Sequence, residues 1–158
     1  MNRFAIACAT AAVATSFSLS AFAQVTVKDL WVRATVSQQK ATGAFMQLTS
    51  TQDVRLVEAK SPVAGVVEVH EMSMEKDVMK MRAVPALELP AGKMVELKPG
   101  GYHVMLMDLK QQMKEGDTVP LTLVVEGKDK KRSTIEVKAP VKPLAAAAGA
   151  KMETQHKH

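Results

Sequence analysis

A chain of 158 residues that is 47% hydrophobic and 23% charged has the size and composition of one globular domain rather than a disordered or fibrous chain. Its net charge of +5 raises nucleic acid as a partner, but one Trp, one Tyr and scattered lysines make a poor nucleic-acid surface. The unusual count is methionine: eleven, of which eight lie between Met72 and Met113.

The first segment in chain order reads as a secretory signal peptide, residues 1–23. Met1-Asn2-Arg3 is a short positive region, Phe4 to Val13 is uncharged and Ala-rich, and Ala21-Phe22-Ala23 is a small-x-small cleavage site before Gln24. Thr10, Thr15, Ser16, Ser18 and Ser20 dilute the stretch below the hydropathy of a membrane-spanning helix. A lipid anchor on Cys8 is not expected, because the apolar run continues past it. Cleavage removes Cys8, the only cysteine, and with Arg3 one unit of positive charge. A mature chain without thiols in an oxidising compartment has no disulfide, no thiolate nucleophile and no Cys-ligated zinc, blue-copper or iron–sulfur centre.

Residues 24–139 then read as one β domain. Strand candidates are Val25 to Arg33 (whose alternation slips before Leu30), Gly43 to Leu48, Arg55 to Ala59, Val63 to His70 and Val78 to Val84. Met94 to Leu97, Tyr102 to Leu109, Val119 to Val125 and Ser133 to Val137 complete them. Ser61-Pro62, Pro85, Pro90-Ala91-Gly92, Pro99-Gly100-Gly101, Glu115-Gly116-Asp117 and Glu126-Gly127-Lys128-Asp129 supply the turns. About eight or nine short strands at this spacing predict an all-β antiparallel sandwich, with Pro120 on an edge or bulge and Lys128 to Arg132 as a solvated hairpin tip. Residues 140–158 read as a flexible tail, in which an Ala/Gly spacer leads to Met152, His156 and His158.

Chemistry concentrates in His70-Glu71-Met72-Ser73-Met74, Val78-Met79-Lys80-Met81 and Tyr102-His103-Val104-Met105-Leu106-Met107. Strand residues two apart share a face, so His103 and Met105 can converge on one ion. His70 and Met81 join them if their strands end at the same rim. Imidazole and thioether donors without thiolate or carboxylate suit Cu(I), whereas Zn²⁺ would favour Cys, His and carboxylate, and Ca²⁺ or Mg²⁺ would need clustered oxygens that these segments lack. The plainer alternative is that methionine fills core gaps; Met46, Met94, Met113 and Met107 read that way, while Met72, Met74 and Met79 stay open.

These residues carry a resemblance. His70, ten residues, Met81, twenty-one residues, His103, one residue and Met105 match the His-x10-Met-x21-His-x-Met signature of the PCuAC copper chaperone family. Asp29-Leu30-Trp31-Val32-Arg33-Ala34, Ser61-Pro62-Val63-Ala64-Gly65, Val69-His70-Glu71-Met72 and Leu97-Lys98-Pro99-Gly100-Gly101-Tyr102-His103-Val104-Met105-Leu106 resemble it too. The resemblance implies a cupredoxin-like, Greek-key β-sandwich in the periplasm that holds one Cu(I) through His70, Met81, His103 and Met105. It also implies a role as donor to the CuA-bearing subunit of cytochrome c oxidase, alongside a Sco-type thioredoxin-like chaperone. Met152, His156 and His158 resemble, sparsely, the Cu(II)-capturing extension of some members. An enzyme is not expected: Gln24 stands where a histidine brace would need His, and no Ser/His/Asp set is indicated. A copper buffer or resistance protein without a dedicated acceptor remains the alternative.

Overall fold

The structure is a computed structural model that describes residues 24–143. The expected leader and the tail residues Met152, His156 and His158 lie outside the described residues. In chain order the strands are β1 (Val25–Arg33), β2 (Ala41–Ser50), β3 (Val54–Lys60), β4 (Ala64–Glu75) and β5 (Val78–Ala83). They continue with β6 (Leu87–Leu89), β7 (Met94–Leu97), β8 (Tyr102–Leu109), β9 (Thr118–Gly127) and β10 (Arg132–Lys142). Nine correspond to the nine candidates, and the tenth, β6, is three residues between Pro85 and Pro90, too short for alternation to reveal.

The strands pair in the order β5-β4-β8-β2-β1-β10-β9-β3-β6, with β7 added beside β2. All pairs are antiparallel except β1 with β10, where Val32 and Arg33 lie parallel to Val141 and Lys142. The path folds over so that β3 comes against β4. Between the two layers sit Val32, Leu48, Val104 and Leu106 from one side and Leu56, Leu121, Leu123 and Val125 from the other. Each of these eight is at most 2% exposed, the burial that drives a two-layer sandwich.

Three local features show how sequence and sheet fit. The slip in β1 is a register shift between Lys28 and Trp31, with Asp29 at φ 49°, and it turns Val32 into the core. Pro120 lies on β9, an interior strand, but the ladder from β3 stops at Thr122, so Pro120 occupies a local edge where its missing N–H removes no ladder bond. Pro140 does not stop β10, as the sequence pattern implied. The Val141 N–H bonds Asp117 O towards β9, so the Pro140 nitrogen faces the other way, before the parallel ladder with β1 begins at Val141.

Candidate metal centre

The centre grows from the β4–β8 ladder. Val69 opposes Val104 and His70 opposes His103 without a bulge, so alternation alone decides the faces. Val69, Val104 and Leu106 point into the core. His70, His103, Met105 and Met107 therefore stand on the opposite, outer face. Met107 does not pack in the core as expected; it is half-buried on this outer face. Met46 and Met113 do fill the core, each 1% exposed, while Met94 at the start of β7 is exposed.

The outer face is sheltered at the histidines. His70 and His103 are 9% and 6% exposed, with ring centroids 5.9 Å apart. Phe45 of β2 lies 6.3 Å from His103, Trp31 stacks 4.6 Å from Phe45, and the Arg33 guanidinium covers the Phe45 ring at 5.4 Å. Gly43 makes room for that ring: a Cβ there would stand 2.9 Å from Phe45 Cζ.

Hydrogen bonds leave one nitrogen of each histidine available. His103 Nδ1 lies 3.1 Å from Gly101 O, an acceptor, so this nitrogen carries the proton and Nε2 keeps its lone pair. His70 Nε2 donates to Glu68 Oε2 at 2.8 Å, and its buried Nδ1 has no hydrogen-bond partner. An orphaned buried nitrogen is costly unless something binds it, and a carboxylate on the other nitrogen is the usual support of a metal-ligating imidazole. Burial pushes the His103 imidazole below its usual range, with His70 and Arg33 adding to the push and the Gly101 carbonyl opposing it. Neutral imidazole is the ligating form.

Met105 sits on β8 opposite Glu68 of β4 and Gly43 of β2. Met81 is on β5 directly opposite Met72 of β4, on the same outer face as His70. Met81, His103 and Met105 line one pocket of about 250 Å³, together with Met72, Phe45, Arg33 and Gly100. The structure thus places three of the four sequence candidates around one pocket and the fourth, His70, beside His103. Met81 is half exposed, so its thioether reaches the pocket from the rim. Among the described residues no group of three or more His, Cys, Asp or Glu is arranged to hold an ion; the soft groups that line this pocket are the His103 imidazole and the Met72, Met81 and Met105 thioethers.

The sequence reading passes over Glu68 and leaves Met72 open. Glu68 stands two residues before His70, on the same strand face, a position that alternation could have flagged. Met72 becomes placeable only once its pairing with Met81 is known.

This arrangement has relatives. Residues 25–141 match a family described as "Putative lipoprotein LpqE-like". The chain belongs to the LpqE-like family. Lxx21020 of Leifsonia xyli subsp. xyli is 32% identical over 124 residues, which span 78% of this chain and 72% of the relative. Among solved structures, apo-DR1885 from Deinococcus radiodurans is 34% identical, with a TM-score of 0.56 over 90% of this chain and 94% of that one. The Cu(I) form of DR1885 is 35% identical, with a TM-score of 0.51 over 77% and 76% of the two chains. The copper-bound PCuAC domain from PmoF2, at 24% identity and a TM-score of 0.58 over 75% and 92%, shares the fold. The PCuAC resemblance and the cupredoxin-like β architecture expected from the sequence both hold.

Proposed function

We propose that this chain is an exported copper chaperone that carries one Cu(I) on His70, Met81, His103 and Met105. The observation that carries the reading is the direct pairing of His70 with His103, each with one nitrogen free of any hydrogen bond, beside a pocket lined by Met81 and Met105. The LpqE-like family's lipoprotein description supports export. The existence of a Cu(I) form of DR1885 supports the metal and its oxidation state.

The donor set explains both capture and release. Two imidazoles and two thioethers favour soft Cu(I), and the burial of both histidines, with Phe45 beside His103, keeps water and hard ligands away. Four neutral donors leave the charge of the ion uncompensated except for Glu68, which faces it across the His70 ring. An acceptor with thiolate ligands binds Cu(I) more strongly, so ligand exchange runs from this chain to such an acceptor. The acceptor in this reading is the CuA-bearing subunit of cytochrome c oxidase, with a Sco-type chaperone working beside it. Met152, His156 and His158 in the tail would take up Cu(II), which imidazole suits. The protein is a carrier in this account, not an enzyme, and its compartment is the periplasm.

Anaerobic titration with Cu(I) should give one tight equivalent that Met81→Ala or His103→Ala impairs. The loaded protein should pass that copper to a soluble CuA domain. Undiminished binding in both variants would overturn the site, and failure of transfer to CuA would overturn the acceptor.

A further inference from the structure

The β4–β5 hairpin extends beyond the site in a way that the four proposed ligands do not use. The β4–β8 ladder ends at Glu71 opposite Tyr102, with one further bond from the Met72 N–H to Gly101 O. Beyond it, residues 73–80 form a two-stranded ribbon closed by Lys76 and Asp77, both at positive φ, the signature of a type I′ turn. The ribbon's two faces differ sharply. On one, Glu71 pairs with Arg82 at 3.1 Å and Glu75 with Lys80 at 2.8 Å. On the other, Met72 opposes Met81 and Met74 opposes Met79, so that face carries thioethers alone at four successive positions.

Core packing does not account for Met74 and Met79, which are 63% and 45% exposed at the edge of the sheet. Exposed apolar side chains on an edge ribbon are an aggregation hazard, so a cluster of them calls for a use. Directly opposed strand residues have Cβ atoms about 5 Å apart, and diagonal neighbours lie about 7–8 Å apart. The unbranched, rotatable methionine side chain spans those gaps easily, so the sulfurs of Met72, Met74 and Met79 can meet on one ion. Three thioethers with no charged or hard donor on their face select the same soft ion as the pocket. Met72 belongs to both places, because it also lines the pocket with Met81, His103 and Met105.

We propose that Met74 and Met79, with Met72 behind them, form a second and weaker Cu(I) site, through which the ion enters and leaves the pocket. This rests on the reading that the pocket itself holds Cu(I). The hairpin site is weaker because it is open to water and has no imidazole. Copper caught at the ribbon would move towards the histidines by exchanging one thioether at a time, and would return along the same ladder to an acceptor.

The test is a titration of the full exported chain, carrying ¹³C-methyl-labelled methionine, with Cu(I) under anaerobic conditions. The first equivalent should shift the Met81 and Met105 methyl signals, and the second those of Met74 and Met79. The double variant Met74→Leu/Met79→Leu keeps the apolar surface but removes the sulfur. It should weaken the hairpin equivalent by more than about tenfold while the first equivalent stays within about twofold of its original affinity. Transfer to a soluble CuA domain should slow in the same variant. The second site is overturned if Met74 and Met79 do not respond to excess Cu(I), or if the second equivalent survives the leucines and so lies in the tail. Unslowed transfer by the leucine variant would mark the ribbon as an apolar docking surface and overturn the pathway. If the first equivalent leaves Met81 and Met105 unmoved, the pocket reading fails, whatever the hairpin does.

Discussion

Glu68 offers a graded perturbation of the centre that replaces no proposed ligand. Its carboxylate accepts the Nε2 proton of His70 at 2.8 Å, which fixes the tautomer and leaves Nδ1 as the nitrogen for the metal. Removing such a supporting carboxylate typically costs 10–100-fold in metal affinity. The Glu68 side chain is 46% exposed, so water screens its charge and the lower end applies. Glu68→Ala should therefore weaken Cu(I) binding about tenfold, or ~1.4 kcal/mol. Glu68→Gln keeps an acceptor oxygen but loses the charge, which is about half the strength of the bond, so about threefold is expected. Competition against a chromophoric Cu(I) chelator at neutral pH resolves both, with thermal melting as a control for folding. Unchanged affinity in Glu68→Ala would refute the supporting role. So would a Glu68→Gln variant as impaired as His70→Ala, since that would make Glu68 a ligand.

Further outcomes follow from burial and from the sheet faces. Because His103 has its pKa lowered by burial, the unfolded chain takes up its proton first as the pH falls. Apo stability should be full above the unfolded value of about 6.5, decline as pH drops from there towards the folded pKa, and flatten below it. Urea unfolding of wild type and His103→Phe between about pH 7.5 and 5 should show this slope only in wild type; an equal slope in both would contradict it. Leu106 is fully buried on the core face of β8, so Leu106→Ala should cost about 2–5 kcal/mol while Cu(I) stoichiometry persists below the melting temperature. Met107→Ala, on the outer face one residue along, should cost no more than about 1 kcal/mol. A larger loss in Met107→Ala than in Leu106→Ala would mean that the faces of β8 are assigned the wrong way round.

The sequence was most legible where one physical rule acts alone. Alternation located nine strands and put His103 and Met105 on a common face, and the slip before Leu30 marked a real bulge. It misjudged which face of β8 is buried, because His103-Met105-Met107 and Val104-Leu106 are both apolar enough to be core. Only pairing across β4 and β2 resolves them. Met94 misled for a similar reason: its strand is four residues long, and its first position projects from the edge. The donor set could be read from spacing and softness, and Glu68 from its place two residues before His70, whereas the Phe45–Trp31–Arg33 cover and the thioether ribbon depend on which residues face one another across paired strands.

The proposed centre holds one Cu(I) among two imidazoles and two thioethers on the outer face of β4, β5 and β8. X-ray absorption at the copper edge of the protein loaded with one equivalent measures this most directly. The spectrum should show Cu(I) with two nitrogen and two sulfur neighbours, one sulfur lost in Met81→His and one nitrogen lost in His103→Met. A first coordination sphere dominated by oxygen, or one that neither substitution alters, would contradict it.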